Sequence, residues 1–201
     1  MYVKICGLRD PEHARVAVDS GAHAVGVVMN QTSSRRATDD EAAAVIAAAD
    51  GHVDTVLVVN DMAAAEAAAT ARRLGFDVLQ LHGPAYDSAD FASALAVMPR
   101  VWRATSLKHD PSLLVGAHGE EMLLLDSPNP GSGERWDASA LASRAPDGRW
   151  LLAGGLSPQN VADALRALSP WGVDVSSGIE SAPGEKDAEL IRAFVAAALT
   201  A

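Results

Sequence analysis

The chain has 201 residues, 49% hydrophobic and 21% charged, which suits one domain spanning 1–201 around a single substantial core. Its 26 acidic against 16 basic side chains give a formal charge of −10, with no Lys/Arg stripe to attract a phosphate backbone; there is no charged leader and no apolar run of about 18 residues, so a cytoplasmic protein with no nucleic-acid or membrane partner is expected. One cysteine excludes an internal disulfide, and six histidines without His-x-x-x-His spacing argue against a metal.

Short β-branched or apolar runs follow one another along the chain: YVKICG from Tyr2, AVGVVM from Ala24, DTVLVVN from Asp54, DVLQLHG from Asp77, RVWRATS from Arg100, EMLLLDS from Glu121, WLLAGGL from Trp150 and GVDVSSG from Gly172. Alanine-rich stretches of helical period separate them. Asp10 is the predicted N-cap and Gly21 the C-terminal stop of the first helix, and Ser157 with Pro158 is predicted to open a later one. Strands alternating with helices imply a parallel sheet, because each crossover needs space for a helix on the sheet face. The strand starts lie 21 to 30 residues apart, so eight units predict a closed (β/α)8 TIM barrel; an open doubly wound sheet ranks second, and the leucine-rich solenoid pattern is absent.

Active sites on such a barrel gather where the strands end. Cys6, Asn60, Gln80, His82, Arg103, Thr105, Asp126, Asp174, Ser176 and Ser177 all fall there. Side chains two apart share a face, so Lys4 with Cys6, Gln80 with His82, Leu124 with Asp126 and Asp174 with Ser176 are expected to point inward as one polar layer. Lys4 and Asp174, from the first and last strands, can pair only if the barrel closes; the pair reads as structural.

A lone cysteine is commonly a small buried hydrophobe. Cys6, however, closes the first strand before a glycine, and a thiol moderately depressed by cationic neighbours can take a proton from carbon. Asp126 ends an apolar run that would favour its protonated form, so the two groups suit opposite halves of acid–base chemistry; otherwise it is a cap or loop residue. In "NQTSSRR", Arg35 or Arg36 could clamp a carboxylate or be solvated surface. The glycine-rich ends "LLAGGL" and "DVSSGIE" read as ordinary turns singly, but together after strands seven and eight they suggest a phosphate cradle. His82 is either a partnered structural histidine or a ligand contact, and the four tryptophans read as packing.

Taken together, "KICG" at Lys4, "VLVVN" at Val56, "LQLHG" at Leu79, "LLLDS" with "GSG" from Leu123, "LAGGL" at Leu152 and "GVDVSSGIE" with "PGEKD" from Gly172 resemble the phosphoribosylanthranilate isomerase family along the whole chain. The resemblance implies a (β/α)8 barrel performing an Amadori rearrangement of N-(5-phosphoribosyl)anthranilate in tryptophan biosynthesis, with no metal or organic cofactor. It implies Cys6 as general base, Asp126 as general acid and Arg35 at the substrate carboxylate. Gly154, Gly155, Ser176, Ser177 and Gly178 would hold the phosphate, with Gln80, His82 and Asp174 also in the pocket. The partner is a small phosphorylated substrate, and the protein a monomer or homodimer.

Three departures from the family pattern stand out. Ser33-Ser34-Arg35 is followed by a second arginine, Pro130 precedes Gly131-Ser132-Gly133, and Val27, Val28 and Met29 occupy positions where aromatics are common in the family. The alternatives are a histidine-branch or bifunctional sugar isomerase, against which Cys6 argues, and a catalytically silent barrel that binds a phosphorylated ligand.

Overall fold

The computed structural model describes residues 1–109, 113–126, 141 and 145–201. The segment Pro130 to Gly133 and Trp136 lie outside the described residues. Each predicted run forms a strand: β1 (Tyr2–Cys6), β2 (Ala24–Val28), β3 (Asp54–Val59), β4 (Val78–His82), β5 (Val101–Ser106), β6 (Met122–Asp126), β7 (Trp150–Leu152) and β8 (Gly172–Val175). All pair in parallel in sequence order, and β1 bonds to β8 as well as to β2. The result is the closed TIM barrel expected from the alternation, with no free sheet edge.

The helices among the described residues are α1 (Pro11–Asp19), α2 (Asp39–Ala49), α3 (Ala64–Leu74), α4 (Ser88–Leu95), α5 (Val161–Leu168) and α6 (Ala188–Leu199); none is long and apolar enough to cross a membrane. Asp10 caps α1 by accepting from the Glu12 amide, and Gly21 follows the helix end at φ +93°. Ser157 does not cap α5. The helix starts four residues later at Val161, because the Asn160 side chain accepts from the Ser157 amide and donates to the Gly155 carbonyl, holding residues 157–160 in a turn. A further element, unforeseen from the sequence, is the hairpin of β9 (Glu180–Ala182) and β10 (Glu185–Lys186), which turns at Pro183-Gly184.

Strand alternation separates two cores. Outward residues such as Ile5, Val27, Leu57, Leu79 and Leu123 pack under the helices, while Ala24, Val56, Val78, Trp102, Met122, Leu124 and Leu151 fill the barrel. Trp102 and Trp150 are buried as packing residues. Trp171, by contrast, is 36% exposed, stacked on Tyr2 at 4.7 Å with Arg149 over its ring.

Lys4 Nζ lies 2.6 Å from Asp174 Oδ1, with side-chain exposures of 0% and 10%. Burial opposes the ammonium charge, but the Asp174 carboxylate and then Cys6 favour it, and the balance raises its pKa. Changing Lys4 to Met should leave a buried carboxylate uncompensated, costing about 3–5 kcal/mol. The check is the urea midpoint, which should fall markedly for Lys4→Met and less for Lys4→Met/Asp174→Asn; an unchanged midpoint in the single variant would remove the pair from the account of stability.

Candidate active site

The C-terminal ends of the strands surround a cavity of about 220 Å³. Cys6 from β1, Gln80 and His82 from β4, Asp126 from β6 and Asp174 from β8 line it. Arg35, in the loop after β2, and Gly154, Gly155, Ser176 and Ser177 complete the lining; Arg35 and Ser176 are neighbours, since a Cβ at Gly7 would lie 2.8 Å from Arg35 Cδ and 3.0 Å from Ser176 Oγ. Val28 and Val58 supply aliphatic wall. Val27 points outward into the helix-facing core, and Met29 packs against that same core.

The inward polar residues are stacked two deep, not in the single layer expected. Lys4 at 0% and Gln80 at 1% exposure form the floor, and Lys4 lies beneath the cavity without lining it. Cys6, His82 and Asp126 stand one pleat above their floor-level neighbours on the same strands. The stacking follows from the two-residue strand period.

Alternation sets the direction of the side chains at the end of β5. Arg103 faces outward, where it bonds Glu120 at 2.8 Å and the Leu114 carbonyl. Thr105 shares that parity. The inward residue at this strand end is Ser106, which contacts His109 Nδ1 at 2.9 Å.

Gly26 explains how a thiol and an ammonium share the base of the site. A Cβ at this position would approach Cys6 Sγ to 2.9 Å and Lys4 Nζ to 3.2 Å, so only glycine leaves room for both. Burial is the largest influence on the Cys6 thiol and pushes its pKa up. Lys4 and Lys186 pull it down and Asp174 adds to the rise, but the net direction is upward. The modest depression expected from cationic neighbours is therefore not found: removing hydration from the thiolate costs more than those neighbours return.

His82 Nε2 stands 3.6 Å from Asp126 Oδ2, too far for a hydrogen bond. Burial lowers the His82 pKa to about 4, outweighing Asp174, which favours the charge. A quarter of the side chain is exposed, to the cavity that it lines. The ring is neutral near pH 7, so the contact with Asp126 is not an ion pair. Gln80 adds an unpaired group, since its Oε1 is buried without a hydrogen-bond partner among the described residues.

The glycine-rich ends of β7 and β8 line the cavity together. Gly154 and Gly155 adopt φ +81° and +65°, and Ser177–Ile179 forms one 3-10 turn. Gly178 does not line the cavity. Its backbone lies directly against the Leu156 carbonyl, where any side chain would overlap, so it joins the two loops.

Of the two arginines, Arg35 lines the cavity and Arg36 is exposed outside it. Arg35 already holds a carboxylate: its Nε and Nη2 donate to the two oxygens of Glu180 at 2.6 and 2.8 Å. Neither Glu180 nor Lys186, which joins it at 2.7 Å, was singled out from the sequence. An acid and a lysine bracketing Pro-Gly in "GIESAPGEKD" was the available signal, since that pattern marks a hairpin whose arms bring the two together. Asn30 was also missed; its side chain accepts from the Asn60 amide at 2.7 Å at the cavity rim.

A family model described as N-(5'-phosphoribosyl)anthranilate (PRA) isomerase matches residues 3–197. The chain is 39% identical over 199 residues to the N-(5'-phosphoribosyl)anthranilate isomerase of Pelobacter propionicus, covering 96% of this chain and 93% of that protein. The crystal structure of TrpF from Jonesia denitrificans superposes with a TM-score of 0.92 at 55% identity, covering 99% and 97% of the two chains. A phosphoribosyl anthranilate isomerase solved in complex with reduced 1-(o-carboxyphenylamino)-1-deoxyribulose 5-phosphate gives a TM-score of 0.86 at 29% identity over the full length of both chains.

Proposed function

Because the chain belongs to the PRA isomerase family, we propose that it carries out the Amadori rearrangement of tryptophan biosynthesis with Cys6 as general base and Asp126 as general acid. The observation that carries this reading is that a thiol from β1 and a carboxyl from β6 line one cavity, alongside the glycine-rich ends of β7 and β8. In this mechanism Asp126 gives its proton to the furanose ring oxygen, and the ring opens to a protonated Schiff base at C1. Cys6 then removes the proton from C2, leaving an enolamine. That intermediate gains a proton at C1 as C2 becomes the ketone, so the aminoaldose N-(5-phosphoribosyl)anthranilate becomes the aminoketose 1-(2-carboxyphenylamino)-1-deoxyribulose 5-phosphate.

Positioning falls to the rest of the cavity. Backbone amides around Gly154, Gly155, Ser176 and Ser177 take the phosphate, with Gly178 keeping the two loops in register. Arg35 meets the anthranilate carboxylate. Gln80, with its unpaired oxygen, and neutral His82 face the sugar, and Asp174 keeps Lys4 charged beneath Cys6.

Purified protein should turn over the anthranilate aminoaldose phosphate and discriminate strongly against the histidine-branch aminoaldose phosphate. Family relatives of that branch resemble a scheme with aspartate at the strand-one position, and a thiol stands there in this chain. Equal turnover of both substrates would defeat single specificity, and binding of the product analogue without any turnover would favour a silent binding barrel.

A further inference from the structure

The Glu180 carboxylate is 5% exposed and receives four hydrogen bonds. Two come from Arg35, one from Lys186 Nζ and one, at 3.1 Å, from the Gly184 amide across the Pro183-Gly184 turn. Lys186 in turn donates to the Ser176 carbonyl and hydroxyl at 2.9 and 3.2 Å. One carboxylate thus joins the loop after β2, the β9–β10 hairpin and the loop after β8. Its three partners differ in sequence separation: Arg35 is 145 residues away, Lys186 six and Gly184 four.

A guanidinium has two edges able to grip a carboxylate. Glu180 takes the Nε/Nη2 edge of Arg35, and Nη1 has no protein partner among the described residues. The Nη1/Nη2 edge is therefore the one left to a ligand in the cavity that Arg35 lines.

We infer that Glu180 is a positioning residue: it orients Arg35 so that its end edge meets the substrate carboxylate, and through Lys186 it fixes that edge relative to Ser176 on the phosphate side. This inference rests on the proposed role of Arg35 and adds the group that sets its direction. Two cations against one anion leave the cluster one positive charge, of the sign a doubly anionic ligand requires in a protein of charge −10. Glu180 keeps its charge across the working range. Burial would raise the Glu180 carboxyl, but Arg35 and Lys186 outweigh it and hold the pKa at about 2. Burial pulls Lys186 down and is only partly offset by Glu180, its carboxylate partner among the described residues.

The test compares two probes: reduced 1-(2-carboxyphenylamino)-1-deoxyribulose 5-phosphate and the same compound without the ring carboxylate. Wild-type protein should bind the first roughly 10- to 100-fold more tightly, as expected for charge-assisted hydrogen bonds. In Glu180→Gln, which keeps size and removes charge, that preference should shrink to about threefold or less, while the carboxylate-free probe loses much less affinity. Retention of the wild-type preference, or an equal loss for both probes, overturns the inference. A wild-type protein with no preference instead overturns the role of Arg35, a result distinguishable because it needs no variant. Should Glu180→Gln not fold, Glu180→Asp carries the test: the shorter side chain draws the carboxylate away from the Nε/Nη2 edge of Arg35, so the preference should again shrink while the carboxylate-free probe loses less, and an unchanged preference or an equal loss for both probes overturns the inference.

Discussion

Replacing Cys6 by serine is expected to lower kcat by about 10²- to 10⁴-fold while leaving affinity for the reduced product analogue nearly unchanged. The substitution is close to isosteric, so the contacts around Gly26 and Lys4 survive. What disappears is basicity, because an alcohol surrenders its proton far less readily than a thiol. The pH profile supplies a second reading. Burial holds the Cys6 pKa above its ordinary value despite Lys4, so the resting group is a thiol and the competent base is the minority form at neutrality. Cys6 must be unprotonated while Asp126 still holds its proton, so wild-type kcat/KM should not climb through the thiol range but should decline once pH passes the raised Cys6 pKa, above the ordinary thiol value of about 8.5. Cys6→Ser should lack that decline. Undiminished activity in the variant would reduce Cys6 to a packing residue.

Asp126→Asn should also cost about 10²- to 10⁴-fold in kcat, at a different step. The amide cannot give a proton to the ring oxygen, so ring opening becomes limiting. Neutral His82, 3.6 Å away, has no surplus proton to offer in its place near pH 7. Substrate deuterated at C2 separates the two steps. Asp126→Asn should suppress a primary isotope effect because C–H cleavage no longer limits the rate, whereas Cys6→Ser should expose one. A full isotope effect in Asp126→Asn would assign the carboxyl to the same step as the thiol and sink the division of labour.

Much of this architecture is legible in the chain itself. The alternation of apolar runs with alanine-rich helical stretches located all eight strands, since a strand buried on both faces has to be continuously apolar and its crossover helix has to be amphipathic. The pairing of Lys4 with Asp174 followed from closure alone: two opposite charges on the first and last strands, at inward parity, have few other ways to be buried. The grouping of Cys6, Gln80, His82, Asp126 and Asp174 at one end followed from the two-residue strand period.

A place at a strand end did not by itself give direction. Arg103 and Thr105 stand at a strand end but point away from the barrel, and Ser106 holds the inward position. Ser157 looked like a cap, yet the Asn160 side chain claimed its amide and delayed the helix.

The sequence by itself therefore determined the strand order, the closure of the barrel and the chemical types gathered at its mouth, because these depend on periodicities that repeat every two or three to four residues. Only the tertiary structure decided that Arg35 is held by Glu180, that Lys186 reaches Ser176, and that the Cys6 thiol is shifted up and not down. Those outcomes depend on how long side chains from distant loops converge and on how much water the surrounding walls exclude. Desolvation and Coulomb attraction oppose one another with similar strength there, so the winner is set by distances of a few ångströms that no local pattern encodes.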